Sequence, residues 1–186
     1  LHEEKREVYV VTHVDAQAWP DGIGGIRYGF RPDRIAAAGS EGAFRAQYLA
    51  SVQAYEEVRR QIDGLPSGEA PASELIAQEE KLRQSMNDFT AMVPLRVGDV
   101  VKVPLLLPHS LQHGVRTIEF QTPVYERKIL SFAQQVVTQD HWDTAEAVSR
   151  MTLLPPVGDE PQRLPGEEGS YVERIVDFED FEVWRV

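Results

Sequence analysis

Residues 98–113 read Gly98-Asp-Val-Val-Lys-Val-Pro104-Leu-Leu-Leu-Pro-His109-Ser-Leu-Gln-His113, and this stretch decides the fold. The Gly-Asp pair is typical of a tight turn, and the residues after it alternate as they do in a β-strand. Pro104 lacks a backbone N–H and therefore ends the strand ladder. We expect the chain to turn back after Pro104 and to bring His109 to the mouth of a β-barrel.

Several other short segments have the composition of β-strands. They are rich in β-branched and aromatic residues and are separated by proline and glycine. The predicted strands are residues 8–14, 26–30, 97–103, 115–120 and 125–137, with one or two more within 171–186. Residues 141–151 are expected to form a short helix, and 158–169 an exposed loop. Many short strands with turns between them predict a sandwich or barrel.

Between residues 40 and 92 the period of the apolar residues changes from two to three or four, which is helical. The first helical stripe is Phe44, Tyr48, Val52, Tyr55 and Ile62, and the second is Leu75, Leu82, Met86 and Phe89. Residues 64–68 break the pattern, and Ser73 is a plausible N-cap for the second helix. We therefore predict a helical hairpin inserted between β segments, with its apolar stripes used for packing.

The stretch around His109 resembles the second motif of the cupin superfamily. That motif runs Gly, five residues, Pro, one residue, Gly, two residues, His, three residues and Asn. Gly98, Pro104 and His109 occupy matching positions, whereas Leu106 replaces the second Gly and His113 replaces the Asn. The resemblance implies a mainly β fold, a double-stranded β-helix or jelly-roll barrel. Without the motif, a lone histidine after a strand is more simply a core residue.

The opening residues resemble the first cupin motif, in which a His precedes a Glu by a short gap on a strand. His2 and Glu7 are separated by four residues, as the motif requires, although a solvated charged tail is the alternative. The first ligand of the motif would precede Leu1, and Leu1 is not Met. We therefore expect the chain to lack upstream residues of a longer protein, and residues 1–186 to form a single cupin domain.

The two motifs together predict a divalent-metal site of His2, Glu7 and His109. Two imidazoles and a carboxylate suit zinc, iron(II), manganese or nickel, and zinc is the expected ion. The sequence has no cysteine, so thiolate ligands are excluded. Few protein ligands with an open position are typical of a catalytic metal site rather than a structural one.

A closer resemblance is to type I mannose-6-phosphate isomerase, and it extends loosely over residues 5–130. It is carried by Lys5-Arg-Glu7-Val-Tyr-Val, by Val93-Pro-Leu-Arg-Val-Gly-Asp-Val-Val-Lys-Val-Pro, by Pro108-His-Ser-Leu and by Gly114-Val-Arg-Thr-Ile-Glu119-Phe-Gln. The resemblance implies that Glu119 lines the pocket and that Arg127 lies near the substrate carbonyl. The gap between these two residues is two shorter than in the family, and the family has a longer stretch before its ligand Glu.

These observations favour a metal-dependent aldose–ketose isomerase acting on a sugar or sugar phosphate. Glu119 and His113 are the candidate proton carriers, and Arg127 would stabilise enediolate charge. Lys128 and Arg116 could neutralise a phosphate, although both are more simply solvated. Two alternatives stay open: an iron-dependent cupin oxygenase, and a non-catalytic cupin that binds a sugar or effector. Metal identity would separate them, because zinc favours the isomerase and iron(II) the oxygenase.

Composition limits the other partners. The 186 residues carry a formal net charge of -11, so a phosphate backbone would be repelled and nucleic acid is not an expected partner. No apolar run is long enough to cross a membrane, and we expect no signal peptide, since no charged segment followed by an apolar one opens the sequence. We expect a cytoplasmic protein whose partner is a small molecule, and a homodimer is compatible with the sequence.

Overall fold

The structure is a computed structural model that describes residues 1–132, 142–155, 162–165 and 170–186. Most elements of the described residues are strands: nine strands form three antiparallel sheets of three strands each, and there are four helices. The strands are β1 Glu7–Val14, β2 Gly24–Phe30, β3 Thr90–Leu95, β4 Val100–Val103, β5 His109–Leu111, β6 Val115–Gln121, β7 Gln162–Pro165, β8 Tyr171–Asp177 and β9 Glu182–Arg185. The helices are α1 Pro32–Ala37, α2 Glu41–Asp63, α3 Ser73–Asn87 and α4 Thr144–Arg150.

Strand β1 is the middle strand of the first sheet, whose order is β4-β1-β6. Its odd-numbered residues Tyr9 and Val11 point into a core shared with the second sheet, whose order is β3-β2-β5. Its even-numbered residue Val8 points the other way, into a cluster with β8 and β9 of the third sheet. Because successive side chains alternate across a strand, β1 is buried on both faces and separates two apolar clusters.

The core between the first two sheets is built from β-branched and aliphatic residues with one tyrosine. Its buried members are Tyr9, Val11, Ile26, Leu95, Val101, Val103 and Val115. Tyr28 of β2 lies at its edge and donates a hydrogen bond from its hydroxyl to the Lys102 carbonyl of β4. The inner face of β2 is therefore fixed against the first sheet.

The helices α2 and α3 lie between β2 and β3 in the chain and pack against each other. Ser40 caps α2, because its side chain accepts a hydrogen bond from the Ala43 backbone N–H. The fully buried side chains of Phe44 and Tyr48 meet Phe30 of β2, with ring centroids 5.1 and 4.7 Å away. The apolar stripes thus attach the helices to the end of β2.

Among the described residues, no helix is both long and apolar enough to span a membrane.

Most of the predicted elements are confirmed. The predicted strands at 8–14, 26–30 and 115–120 and both helices of the hairpin are present, and 171–186 contains β8 and β9. The predicted short helix at 141–151 is α4, although residue 141 lies outside the described residues. Ser73 is the first residue of α3 and not its N-cap, which is Ala72.

Three predictions were wrong in part. The strand predicted at 125–137 is absent from residues 125–132, and residues 133–137 lie outside the described part of the chain. That segment hydrogen-bonds to the N-terminal residues instead of joining a sheet. Within the predicted loop 158–169, residues 162–165 form β7 and the others lie outside the description. The predicted strand at 97–103 begins only at Val100, because residues 97–99 form the turn that precedes β4.

The buried carboxyl of Glu56 gives a testable pH dependence. It accepts a hydrogen bond from the Thr144 hydroxyl at 2.6 Å, and burial raises its pKa. A raised folded-state pKa means that the stability present below the unfolded pKa is lost as the pH rises through the folded pKa. Relative to the wild type, E56Q should therefore gain stability as the pH rises above about 4.3, the ordinary pKa of a glutamate. Urea unfolding at several pH values measures this gain.

The exposed neighbour Glu57 supplies the matched control. The variant E57Q should show a constant stability difference from the wild type over the same pH range. An E56Q curve parallel to that of E57Q would contradict the assignment of a raised pKa to Glu56.

Candidate metal centre

Three side chains that are distant in the sequence converge at one end of the first sheet. One ligand atom from each of His2, Glu7 and His109 lies within 4.8 Å of the others. The Nε2 atom of His2 is 3.3 Å from Glu7 Oε1, and the Nε2 atom of His109 is 3.0 Å from Glu7 Oε2. Glu7 begins β1, His109 begins β5, and His2 lies in the segment before β1.

Strand register explains why His109 points toward Glu7. His109 pairs with Tyr28 across β5 and β2, and residues paired in an antiparallel sheet share a face. The Tyr28 hydroxyl binds β4 of the first sheet, so this shared face is the one that looks toward the first sheet. Glu7 lies on the inner face of that sheet together with Tyr9.

The two imidazole rings are oriented by backbone carbonyls. The Nδ1 atom of His2 is 2.6 Å from the Glu126 carbonyl oxygen, and that of His109 is 2.9 Å from the Leu107 carbonyl oxygen. A carbonyl only accepts, so each Nδ1 carries the proton and donates it. Burial lowers the pKa of His2 to about 4, so its ring is neutral at pH 7. The Nε2 atom of the neutral His2 ring then carries a lone pair, the arrangement of metal-binding histidines.

Glu7 is charged although it is only 2% exposed. Burial alone would raise its pKa, but hydrogen bonds from His109, Lys5 and Tyr9 outweigh burial and lower the pKa. The Tyr9 hydroxyl donates to Glu7 Oε2 at 2.7 Å, and the Lys5 ammonium forms an ion pair with Glu7 Oε1. A buried carboxylate held in this way is available as an anionic ligand.

Glu119 is a second carboxyl beside Glu7. It lies opposite Tyr9 in the β1–β6 pairing and therefore shares the inner face of the sheet. Burial raises the pKa of Glu119, and the charge of Glu7 and a hydrogen bond with Glu7 raise it further. The site therefore combines a carboxyl that is held ionised with one that retains its proton more readily.

These groups line a cavity of about 390 Å³. One part of its wall is polar and another is apolar. The lining residues are Leu1, His2, Lys5, Glu7, Pro108, His109, Glu119, Arg127, Lys128, Ile129, Leu130 and Phe132. A concave site of this size, with a few convergent polar groups on an apolar wall, is typical of small-molecule binding.

The segment around Glu126 fixes the N-terminal residues at the cavity. The Glu126 carboxylate accepts hydrogen bonds from the backbone N–H groups of Glu3 and Glu4, at 2.8 and 3.3 Å. The Lys128 backbone N–H donates to the Leu1 carbonyl at 2.8 Å. Together with the bond between Glu126 and the His2 ring, these contacts hold His2 in place on a stretch that belongs to no helix or strand.

Solved structures with a similar fold are mannose 6-phosphate isomerases. The enzyme from Bacillus subtilis matches with a TM-score of 0.50 and 15% sequence identity, over 97% of this chain and 44% of its own. Two point mutants of phosphomannose isomerase from Salmonella typhimurium match with a TM-score of 0.54 and 12% identity, over 96% of this chain and 49% of theirs. No family model matches the sequence, and no curated protein matches it.

This likeness shows the fold. The resemblance to mannose-6-phosphate isomerase inferred from residues 5–130 is thereby confirmed at the level of architecture. The chain spans about half the length of the solved structures that it matches.

The structure brings most of the predicted site residues together, but not all of them. His2, Glu7 and His109 converge, and Glu119 and Arg127 line the same cavity. His113 does not join them: it is exposed in the turn between β5 and β6, and its carbonyl accepts a hydrogen bond from the Trp19 indole. His109 begins the three-residue strand β5, and by His113 the chain has already turned away from the cavity.

Sequence reasoning missed Lys5 and Tyr9 as members of the site. Both lie two residues from Glu7, and a period of two places side chains on one face of an extended chain. The alternation Lys5, Glu7, Tyr9 was therefore the signal that could have identified them. Of the two phosphate candidates, Lys128 lines the cavity, whereas Arg116 is exposed on β6 and is not among the lining residues.

Leu106, which replaces the second glycine of the motif that this stretch resembles, has a left-handed backbone. Its φ is 63°, and it is the one non-glycine residue with positive φ among the described residues. In this conformation its N–H donates to the His2 carbonyl at 2.7 Å, and its carbonyl accepts from the Thr152 N–H at 2.8 Å. The left-handed residue thus joins the His2 segment directly to the loop that carries His109.

The strain at Leu106 can be measured by comparing two substitutions. L106A and L106G both remove the side chain, but only glycine adopts the left-handed region without steric cost. That cost is about 1 kcal/mol for an L-residue, so L106G should be more stable than L106A by about that amount. Chemical denaturation measures the difference.

At most other positions an alanine variant is more stable than a glycine variant, because glycine loses more chain entropy on folding than alanine. A helical position such as the exposed Ala50 in α2 supplies the control, where A50G should destabilise the protein. L106G less stable than L106A would mean that residue 106 does not have positive φ.

Proposed function

We propose that this protein is a metal-dependent aldose–ketose isomerase acting on a sugar or sugar phosphate. The observation that carries the proposal is the convergence of two imidazole nitrogens on the buried carboxylate Glu7, in a cavity that also contains Glu119 and Lys5. The fold of mannose 6-phosphate isomerases supports the same reaction class. Because the chain spans about half of those proteins, their activity is transferred here as a hypothesis.

The proposal includes the finer description of the fold. The first two sheets enclose one core, and we propose that they form the double-stranded β-helix of a cupin. Residues 1–186 would then be a single cupin domain, with the helical insertion at about 40–92. The third sheet would cover the outer face of the barrel at β1.

The donor set fits a divalent metal, and zinc in particular. Two histidine nitrogens with one glutamate carboxylate are a known set for catalytic zinc, and in both rings the Nδ1–H already donates a hydrogen bond to a backbone carbonyl. We propose His2, Glu7 and His109 as the ligands. A bound divalent ion would supply Lewis acidity toward the oxygens of the sugar.

Glu119 is the group proposed to move the proton. Interconversion of an aldose and a ketose removes the proton from C2 and returns one to C1, while the C1 and C2 oxygens exchange carbonyl and hydroxyl character. The Glu119 carboxylate faces the cavity and can accept the C2 proton and return it to C1. Arg127 lines the same cavity, and its cation would stabilise the negative charge of the enediolate.

Lys5 and Tyr9 act on Glu7 in this scheme. Their hydrogen bonds hold both carboxylate oxygens of Glu7 in the orientation seen beside the two histidines. We infer that they are positioning residues, because both contact Glu7 directly. Fixing a ligand in advance removes the need to reorganise it when a substrate binds.

Substitution of His109 tests the metal site. H109A removes one of three ligands, and loss of even an outer partner of a metal ligand typically weakens affinity by about ten- to a hundredfold. We therefore expect zinc affinity to fall by at least about a hundredfold. Competition with a chelating dye measures it, and H113A, which changes an exposed histidine outside the cavity, should bind zinc as the wild type does. Equal losses in both variants would contradict the assignment.

Substitution of Glu119 separates proton transfer from metal binding. E119Q keeps the shape of the side chain and leaves the three ligands in place, but it cannot carry the proton. We expect unchanged zinc affinity and a rate of C2-proton exchange that is lower by about a hundred- to ten-thousandfold. The assay follows loss of the C2 proton signal of mannose, glucose and their 6-phosphates in deuterated water by NMR. The exposed carboxyl variant E4Q is the control.

The exchange assay also tests the proposal as a whole. No exchange with any of these sugars, together with oxygen consumption by the iron-loaded protein, would replace the isomerase with an oxygenase. Absence of both activities would leave a sugar-binding or effector-binding protein.

A further inference from the structure

We propose that Leu106 is a positioning residue of the metal centre: its left-handed backbone holds His2 and His109 where their imidazoles reach Glu7. This inference rests on the proposed metal site and concerns how the chain holds two of the proposed ligands. Leu106 lies in the loop between β4 and β5, three residues before His109. It is not among the residues that line the cavity, so it can act on a metal only through other residues.

The backbone groups of residues 106 and 107 bind both histidines. The Leu106 N–H donates to the His2 carbonyl at 2.7 Å, and the Leu107 carbonyl accepts from His109 Nδ1 at 2.9 Å. The first contact holds the main chain of His2, and the second holds the ring of His109. The N–Cα bond of Leu106 lies between these two groups, so rotation about it turns one group relative to the other. A right-handed φ at residue 106 would therefore break at least one of the two contacts.

The loop that follows Leu106 is anchored to the second sheet. The Gly29 N–H of β2 donates to the Pro108 carbonyl at 2.9 Å, and the side chain of Leu107 is fully buried. Gly29 approaches this loop so closely that an added Cβ would lie 3.3 Å from Leu107 Cδ1. Because the loop is held on this side, the left-handed conformation of Leu106 is what directs its N–H toward His2.

A leucine is an unfavourable residue for this conformation. Every other described residue with positive φ is a glycine, since a Cβ crowds the following carbonyl in the left-handed region. Such strain persists only where the surrounding contacts determine the conformation, and it is concentrated at functional sites. Here those contacts are the hydrogen bonds of the Leu106 backbone and the packing of its side chain against the core cluster that includes Phe30 and Met151. The strain lies between the two contacts that hold the histidines, which indicates a role in the site.

Two explanations of Leu106 give opposite expectations. If only the packing of its side chain matters, L106V should disturb the site less than L106G, because valine retains most of the apolar surface. If its backbone positions the histidines, L106G should be the milder change. Glycine adopts the left-handed conformation without steric cost, whereas a β-branched residue is a strong outlier there.

The zinc affinity of the purified protein, measured by competition with a chelating dye, tests the inference. We expect L106V to bind zinc about ten- to a hundredfold more weakly than L106G, the loss typical when an outer partner of a metal ligand is removed. Equal affinities of the two variants, or weaker binding by L106G, would overturn the inference and leave the metal site intact. No zinc binding by the wild type would overturn the metal site and the inference with it.

The variant G39V is the matched control. Gly39, in the turn between α1 and α2, has φ of 80°, and no atom lies within 4 Å of an added Cβ. Valine there introduces the same backbone strain outside the lining of the cavity, so G39V should lose stability and keep the zinc affinity of the wild type. A loss of affinity equal to that of L106V would attribute both losses to general destabilisation and overturn the inference. If L106V does not fold, L106A replaces it, because alanine also disfavours positive φ, and it should bind zinc more weakly than L106G.

Hydrogen exchange in the metal-free protein gives a direct readout of the contact. The N–H of residue 106 donates to the His2 carbonyl, so its protection from exchange in deuterated water reports whether that bond forms. Relative to the core amide of Val11, this N–H should be protected in L106G and should exchange faster in L106V. Equal relative protection in the two variants would contradict the role given to the backbone of Leu106.

Discussion

The site depends on the position of β1, which is hydrogen-bonded along both edges and buried on both faces. Its pairing with β4 and β6 fixes its register, and a slip of one residue would turn Glu7 from the cavity into the cluster made with the third sheet. The same slip would bring Val8 to the cavity. The apolar alternation that stabilises the strand is therefore also what places the carboxylate.

A buried carboxylate is costly unless it is compensated, and here the compensation comes from several directions. Lys5 and Tyr9 approach Glu7 from its own strand and the residues before it, and His2 and His109 approach from two other segments. Removal of any one of these partners would take away part of the compensation that the buried carboxylate needs. The polar cluster around Glu7 thus holds the N-terminal segment, β1 and the loop before β5 together.

Local patterns in the sequence predicted most of the fold. The period of two in residues 8–14 and the stripe from Phe44 to Tyr55 reflect burial along a single element, which is visible in one sequence. The strand predicted at 125–137 is absent from its described residues 125–132, because a strand-like composition does not reveal that residues 126–128 bind the N-terminal segment. Short β5 escaped prediction because three residues are too few to show a period.

The candidate metal ligands could be predicted because the spacing of a motif reflects contacts between residues that are far apart in the sequence. His2, Glu7 and His109 were chosen in this way, and they converge. His113 was chosen by its position in the motif and lies elsewhere, because the turn at Gly114, with φ of 84°, follows it immediately. The ion pairs of Lys128 with Glu3 and Glu146 join three segments, and no pattern along one segment could have shown them.

The long insertion between β2 and β3 also bears on how the chain reaches this fold. The two strands pair although about 60 residues separate them, and closing a loop of that length carries an entropic cost that grows with its logarithm. Helices α2 and α3 contact each other locally and can form early, since helical contacts are short in sequence. Once they have folded, Phe30 at the end of β2 lies close to Phe89, which directly precedes β3, because both contact Phe44 and Tyr48. The insertion thus shortens the search by which the two strands find each other.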